Sequence, residues 1–199
     1  MAAFDISEFR SQMTGDGARP NLFECSIDDL SALTGITTAQ SKFNFMCRAA
    51  QLPGSTVNAV PVNYFGRELK FAGNRTFTEW TVTIINDEDF AVRNAIERWM
   101  NFINSHRENV RALNRVSPST YQRDAFIRQH GKAGGLTTAD TTGRIIKEYK
   151  FIGMFPIDLS PIEMDWGAND TIEEFAVTFA YQWWEDTGRS ISSAGPTTT

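Results

Sequence analysis

Apolar side chains recur at i, i+4, i+7 and i+11 through Val92, Ile96, Trp99 and Ile103, the period of one helix face, while Arg93, Asn94, Glu97, Arg98 and Asn101 fill the other. The spacing predicts one substantial helix over 86–106. Asn86 is the expected N-cap, Asp87, Glu88 and Asp89 meet the unpaired first-turn amides, and Ile85 can staple against Phe90. Asp89 with Arg93 and Arg93 with Glu97 are i,i+4 pairs of a few tenths of a kcal/mol, whereas burying Ile96 or Trp99 contributes roughly 1.5–3 kcal/mol each. Packing therefore dominates. About 20 residues span roughly 30 Å, so such a helix can cover one face of a sheet.

Elsewhere the period is two. Phe23, Cys25 and Ile27 alternate with Glu24 and Ser26, and Phe43, Phe45 and Cys47 repeat the pattern; both read as half-buried strands, separated by an exposed loop over 28–40. Trp80, Val82 and Ile84 alternate with Glu79, Thr81 and Thr83. The longest alternation sets Phe175, Val177, Phe179, Tyr181 and Trp183 against Glu174, Ala176, Thr178, Ala180 and Gln182, predicting one strand over 172–184. Further strands are expected over 145–155, at Leu69 and Phe71, and as a turn and short strand over 159–166. Between Leu52-Pro53-Gly54 and Gly66 lie Val57, Val60, Val62 and Tyr64 with Pro61 among them. Proline confines such a run to an edge or a projecting hairpin. Ile6, Phe9 and Met13 suggest a short helical turn or arm ended by Gly15-Asp16-Gly17. The polar stretch over 105–142 reads as a long loop. The expected fold is mainly β: an antiparallel sandwich or barrel of about seven strands with one flanking helix and a projecting hairpin. It forms a single domain over 1–188, followed by a disordered Ser, Gly and Thr-rich tail over 189–199.

A hydrophobic fraction of 41% with 12% aromatic residues gives 199 residues a real core. A net charge of -5 without a long basic run argues against a dedicated DNA-binding module, so nucleic acid would be a passenger rather than a ligand. Cys25 and Cys47 fit buried free thiols of a reducing compartment better than a disulfide. The N-terminus has no apolar signal core and no run approaches bilayer length, so folding in a cytoplasm is expected.

Enzyme signatures are weak. Gly131-Lys132 is followed by Ala133 where a phosphate loop needs Ser or Thr, and His106 and His130 read as exposed loop histidines without metal-ligand spacing. Asp158, Glu163, Asp165, Asp170, Glu173 and Glu174 could supply paired carboxylates for glycoside hydrolysis or hold a divalent cation, but they occupy turn positions where solvated charges are ordinary. No catalytic residue, cofactor or metal site is assigned. What remains is an exposed β surface and an apolar hairpin, which are features of assembly.

Six motifs in order carry a resemblance over most of the chain. They are Gly17-Ala18-Arg19-Pro20-Asn21-Leu22-Phe23-Glu24, Ala50-Gln51-Leu52-Pro53-Gly54 leading into Val60-Pro61-Val62-Asn63-Tyr64, Lys70 to Phe77 running into Trp80-Thr81-Val82-Thr83, Asn86-Asp87 with the helix, Gly153-Met154-Phe155-Pro156, and Phe175 to Tyr181. Together they resemble the tail tube proteins of contractile-tailed bacteriophages. The resemblance implies hexameric rings stacked into a tube inside a contractile sheath, in the virion tail, with baseplate and tail terminator proteins as further partners and DNA as transient cargo. Inner tubes of type VI secretion and pyocin-like particles are the alternative within this class; a sugar-binding or glycoside-hydrolysing β-sandwich is the alternative outside it. On this reading Leu52, Pro53, Val57, Val60, Val62 and Tyr64 contact a neighbouring subunit, and Glu79, Thr81, Thr83, Thr178 and Gln182 line the lumen.

Overall fold

In a computed structural model the described residues are 5–13, 17–111, 117–132 and 145–188. A seven-stranded antiparallel sheet runs in the order β1-β6-β7-β8-β5-β2, with β9 also on β7, and a separate two-stranded sheet is formed by β3 and β4. The strands are β1 (Phe23–Ile27), β2 (Cys47–Ala50), β3 (Ser55–Tyr64), β4 (Arg67–Phe77), β5 (Trp80–Ile85), β6 (Arg123–His130), β7 (Ile145–Leu159), β8 (Glu174–Ala180) and β9 (Trp183–Asp186). The helices are α1 (Ile6–Gln12), α2 (Leu30–Thr34), α3 (Ala39–Met46), α4 (Ala91–Ile103) and α5 (Pro118–Tyr121).

Strand β7 organises the sheet. Its first part pairs with β6 and β9, and from Phe155 onward it pairs with β8. The change of partner falls beside Gly153, at φ +65°, where an added Cβ would lie 3.0 Å from the Gln182 side chain and 3.1 Å from that of Gln122. Only glycine takes this backbone without strain in so little space.

The core lies between this sheet and α4. Val92, Ile96 and Trp99 are buried as the helical period requires, and Trp99 sits 6.1 Å from Phe179 across the interface. Trp80 stacks on Phe151 at 4.5 Å, and the buried Trp99 indole donates to the Tyr121 carbonyl at 2.7 Å. The aromatic face of β8 thus meets the helix stripe, as its alternation predicts.

Helix α4 is shorter than the predicted 86–106. Residues 86–89 are drawn to tertiary partners instead of a first turn: the Asn86 amide donates to Glu173, and Asp87 and Asp89 both hold the Lys42 ammonium. Phe90 is the N-cap, in the left-handed region, and the Asp89 carboxylate accepts the Ala91 amide at 3.0 Å. The expected Asp89 to Arg93 pair is absent because Asp89 is spent on Lys42, whereas Arg93 and Glu97 do pair at 3.1 Å.

Five other expectations are corrected. The expected loop over 28–40 contains α2 and the start of α3, with Leu30 and Ala39 buried. The expected strand at Phe43, Phe45 and Cys47 is mostly helix: Ala39 and Phe43 are buried at i, i+4 while Phe45 is 86% exposed, which period two could not produce. The expected loop over 105–142 holds α5 and the core strand β6, whose Ala125 and Ile127 are buried; its outward charges are paired across strands, Arg128 with Glu24 and Glu148. The strand expected within 159–166 does not form, since β7 ends at Leu159, and the strand expected over 172–184 divides at Tyr181 and Gln182 into β8 and β9. The exposed α1 matches the expected arm. Gly15-Asp16 and the tail over 189–199 lie outside the described residues.

Candidate functional site: assembly surfaces

The hairpin is longer than its sequence pattern suggested, because β4 is the return strand for β3. Phe65 and Gly66 link them with φ +46° and +77°, the two consecutive left-handed residues that match the twist of paired strands. Tyr64 and Phe65 meet edge to face at 4.5 Å at this tip, and Phe65 is 91% exposed. Register places Val60 opposite Phe71, Val62 opposite Leu69 and Tyr64 opposite Arg67, so one side of the ribbon is apolar. Pro61 faces Lys70 and Asn63 faces Glu68 on the other side.

Every position of β3 is exposed. Val60 and Val62 each keep about half their surface in solvent (49% and 47%), with β4 as their neighbour within the hairpin. Among the described residues the root is the part held to the body: the Trp80 indole donates to the Gln51 carbonyl at 2.9 Å, the Trp184 indole to the Gly54 carbonyl at 3.1 Å, and Phe77 lies 6.1 Å from Tyr181. Leu52 is exposed and Pro53 half-buried at this root, and Val57 is exposed near a bulge in β3. Gly73 is required there, since an added Cβ would come within 2.8 Å of Val60 Cγ2 and 2.9 Å of the Asn58 carbonyl oxygen.

The second surface is the side of β5 and β8 away from α4. Thr81 is opposite Thr178, with hydroxyls 3.1 Å apart, and Thr83 is opposite Ala176. Glu79 is exposed just before β5. Gln182 is not on this ladder; it lies in the break between β8 and β9, donating its backbone N–H to the Ile152 carbonyl at 3.0 Å. Trp183, expected on the aromatic face, sits in β9 and is exposed. Strand β2, paired only with β5, and the end of β7, paired only with β8, leave two free edges on this part of the sheet among the described residues.

Electrostatics tie the framework together. The Asp87 and Asp89 carboxylates hold the Lys42 ammonium above its ordinary pKa, and Lys42 with the Ala91 amide holds Asp89 below its own. Hydrogen bonding with Cys47 and burial push the Cys25 thiol up; both cysteines are free, Cys25 buried and Cys47 half-buried. His130 is not an exposed loop histidine: it ends β6, half-buried, with Nε2 3.3 Å from Glu24. The acidic residues at 158–174 have separate engagements, Glu173 with Asn86, Glu174 with Arg48 and Asp165 with the Gly167 amide. Among the described residues no group of three or more His, Cys, Asp and Glu side chains is arranged to hold a metal ion, and no helix is long and apolar enough to cross a membrane.

A family profile described as phage tail tube protein matches residues 18–187. The chain belongs to this family. It is similar to tail tube protein gp19 of Enterobacteria phage T4, 31% identical over 176 residues that cover 88% of this chain and 96% of the relative. As a phage tail tube protein it is a component of the virion tail. The fold is shared with a chain of the anti-feeding prophage baseplate solved with 6-fold symmetry (TM-score 0.58, 10% identity, covering 88% of this chain and 97% of that one). It is shared also with a chain of an extracellular contractile injection system sheath-tube complex (TM-score 0.56, 15% identity, covering 92% and 98%).

The strand expected at Leu69 and Phe71 is present within β4, but the sequence pattern did not show that it is longer, or that it is the return strand of β3 through Phe65 and Gly66. The Phe65-Gly66 pair between two alternating runs was the available signal.

Proposed function

We propose that the chain is a non-catalytic building block that forms rings of six, and that the rings stack into a hollow tube within a contractile sheath. The observation that carries this reading is the hairpin: Val60, Val62, Tyr64, Leu69 and Phe71 form one apolar ribbon face that the subunit leaves in solvent, and such patches mark contacts with another chain. Leu52, Pro53, Val57, Val60, Val62 and Tyr64 touch a neighbouring subunit. The free edges at β2 and at the end of β7 let one copy's sheet continue into the next, and identical head-to-tail contacts close into a ring when the rotation closes.

With the apolar face of β5 and β8 against α4, Glu79, Thr81, Thr83 and Thr178 line the lumen, and Gln182, off this ladder, is left out of that lining. A small, neutral to acidic wall lets DNA slide without sticking, since phosphate affinity requires Lys and Arg. The sheath, baseplate and terminator proteins are the remaining partners; assembly takes place in the host cytoplasm, and no cofactor or membrane is involved. The 31% identity to a phage tube protein favours the phage reading over a tube from a secretion or pyocin-like particle.

Negative-stain imaging of the purified chain tests this. Hollow tubes with sixfold end views are expected, and a strictly monomeric species at every concentration in light scattering defeats the reading. A thiol introduced by Thr178→Cys should react with bulky reagents in free subunits and be shielded in long tubes; equal labelling in both states would put this face outside.

A further inference from the structure

We infer that the hairpin of one copy docks, in a head-to-tail stack, on the acidic cleft formed by residues 160–174 of the next copy. The inference rests on the reading that the hairpin contacts a neighbouring subunit, and it names the surface that receives it.

The two surfaces are complementary in chemistry. The cleft, about 720 Å³, is open to solvent; Met164, fully exposed Trp166 and Ile172 give it apolar walls, and Glu163 and Asp165 line it too. Residues 160–174 contain five carboxylates and no Lys or Arg; Glu174 is paired with Arg48, and Glu163 and Asp165 remain exposed on the cleft. The hairpin carries the opposite balance, with Arg67, Lys70 and Arg75 against Glu68 alone, and Arg67 stands beside Tyr64 at the end of the apolar face. A basic, aromatic tip thus has an acidic, aromatic counterpart on the same chain. Complementary charge of this kind selects and orients partners.

Within one subunit the two surfaces lie at opposite ends. The hairpin root adjoins Trp80, which is paired with Phe179 near the end of β8, and Phe77 leans on Tyr181 just beyond it. The cleft segment leads into the start of β8, where Glu174 is paired with Ile85 and Glu173 holds Asn86. Seven residues of β8, about 20 Å of strand, separate them. Because β3 is exposed at every position, the hairpin projects instead of folding back on its own body. Each copy therefore presents a plug at one end and a socket at the other. Contacts of this heterologous kind repeat without limit along an axis, which is the geometry of a tube.

Charge exchange and crosslinking on the full chain test the inference. Arg67→Glu alone and Glu163→Lys alone should each raise the protein concentration needed for tubes by about tenfold or more, and the combined variant should recover most of that loss. In a Phe65→Cys, Trp166→Cys variant, mild oxidation of tubes should give a covalent ladder extending past dimers, since each copy supplies its two thiols to two different neighbours. No ladder from well-formed tubes, together with wild-type assembly of Trp166→Ala, overturns the inference. If Val60→Ser with Val62→Ser blocks assembly under that outcome, the hairpin docks on another surface and the proposed function stands. If the same double variant assembles normally, the hairpin contacts no neighbour and the inference falls, while the tube itself, having formed, still stands.

Discussion

The β5–β8 pair and the β3–β4 hairpin are built from the same material, antiparallel strands with one apolar side, yet only the first is covered. Beside Trp80, Val82 and Ile84 stand their cross-strand partners Phe179, Val177 and Phe175, and over this side of the sheet lies the Ile96 and Trp99 face of α4. Val60 and Val62 instead keep about half of their surface in solvent. Alternation in sequence specifies a strand with an apolar face but does not say which molecule covers that face. In this chain the cover is internal for one pair and, on the proposed reading, comes from another copy for the other.

The largest separation between the two regions is expected from Trp99→Ala against Val60→Ser with Val62→Ser. The first removes a fully buried indole and should cost about 3–5 kcal/mol of subunit stability in denaturant unfolding. The second should change unfolding by less than about 1 kcal/mol while abolishing tubes. A core-sized stability loss in the double variant would show that the hairpin belongs to the subunit core. Gly73→Ala tests the hairpin's shape instead of its surface: the new methyl collides with Val60 and the Asn58 carbonyl, so tube formation should fall while the thermal midpoint of the free subunit stays near that of the parent. Equal loss of both would mean the hairpin supports the sheet it projects from.

The smallest effect is expected at the α3–α4 junction, within the covered region. Lys42 holds Asp89 below its ordinary pKa, so this pair stabilises the fold above the ordinary carboxylate range, and the benefit disappears as pH falls through the depressed folded value. Lys42→Met should therefore lower stability slightly at neutral pH, with the difference from the parent vanishing in acid. A difference that persists at low pH would assign the effect to packing of the lysine stem.

What could be read from the sequence follows the same division. Val92, Ile96 and Trp99, and Phe175, Val177 and Phe179, were legible because each partner is a continuous apolar face of fixed period. Strand β6 was hidden because Asp124, Arg128 and His130 find charged partners on neighbouring strands, Lys150, Glu148 and Glu24, which a local reading counts as loop polarity. Helix α3 was hidden because Phe43, Phe45 and Cys47 alternate at period two, while its buried helical face is carried by Ala39 and Phe43, the first too small to stand out as apolar. Of the assembly surfaces, the Thr81 and Thr178 ladder followed from alternation. Gln182 did not, because the break after Ala180 has no signature before the Gly153 bend is known. The proline-bearing strand announced the hairpin, but Gly66 looked like its end when it was its turn.

The bend of β7 has a mechanical consequence. Because a single covalent strand of 15 residues serves both halves of the sheet, a pull or push along the subunit loads a backbone rather than a seam between side chains. The ladders on either side of Gly153 are then strained in shear, with many hydrogen bonds sharing the load at once, instead of being peeled one at a time. The subunit gains stiffness along β7 from this continuity, and Gly153 supplies the corner that keeps the strut unbroken.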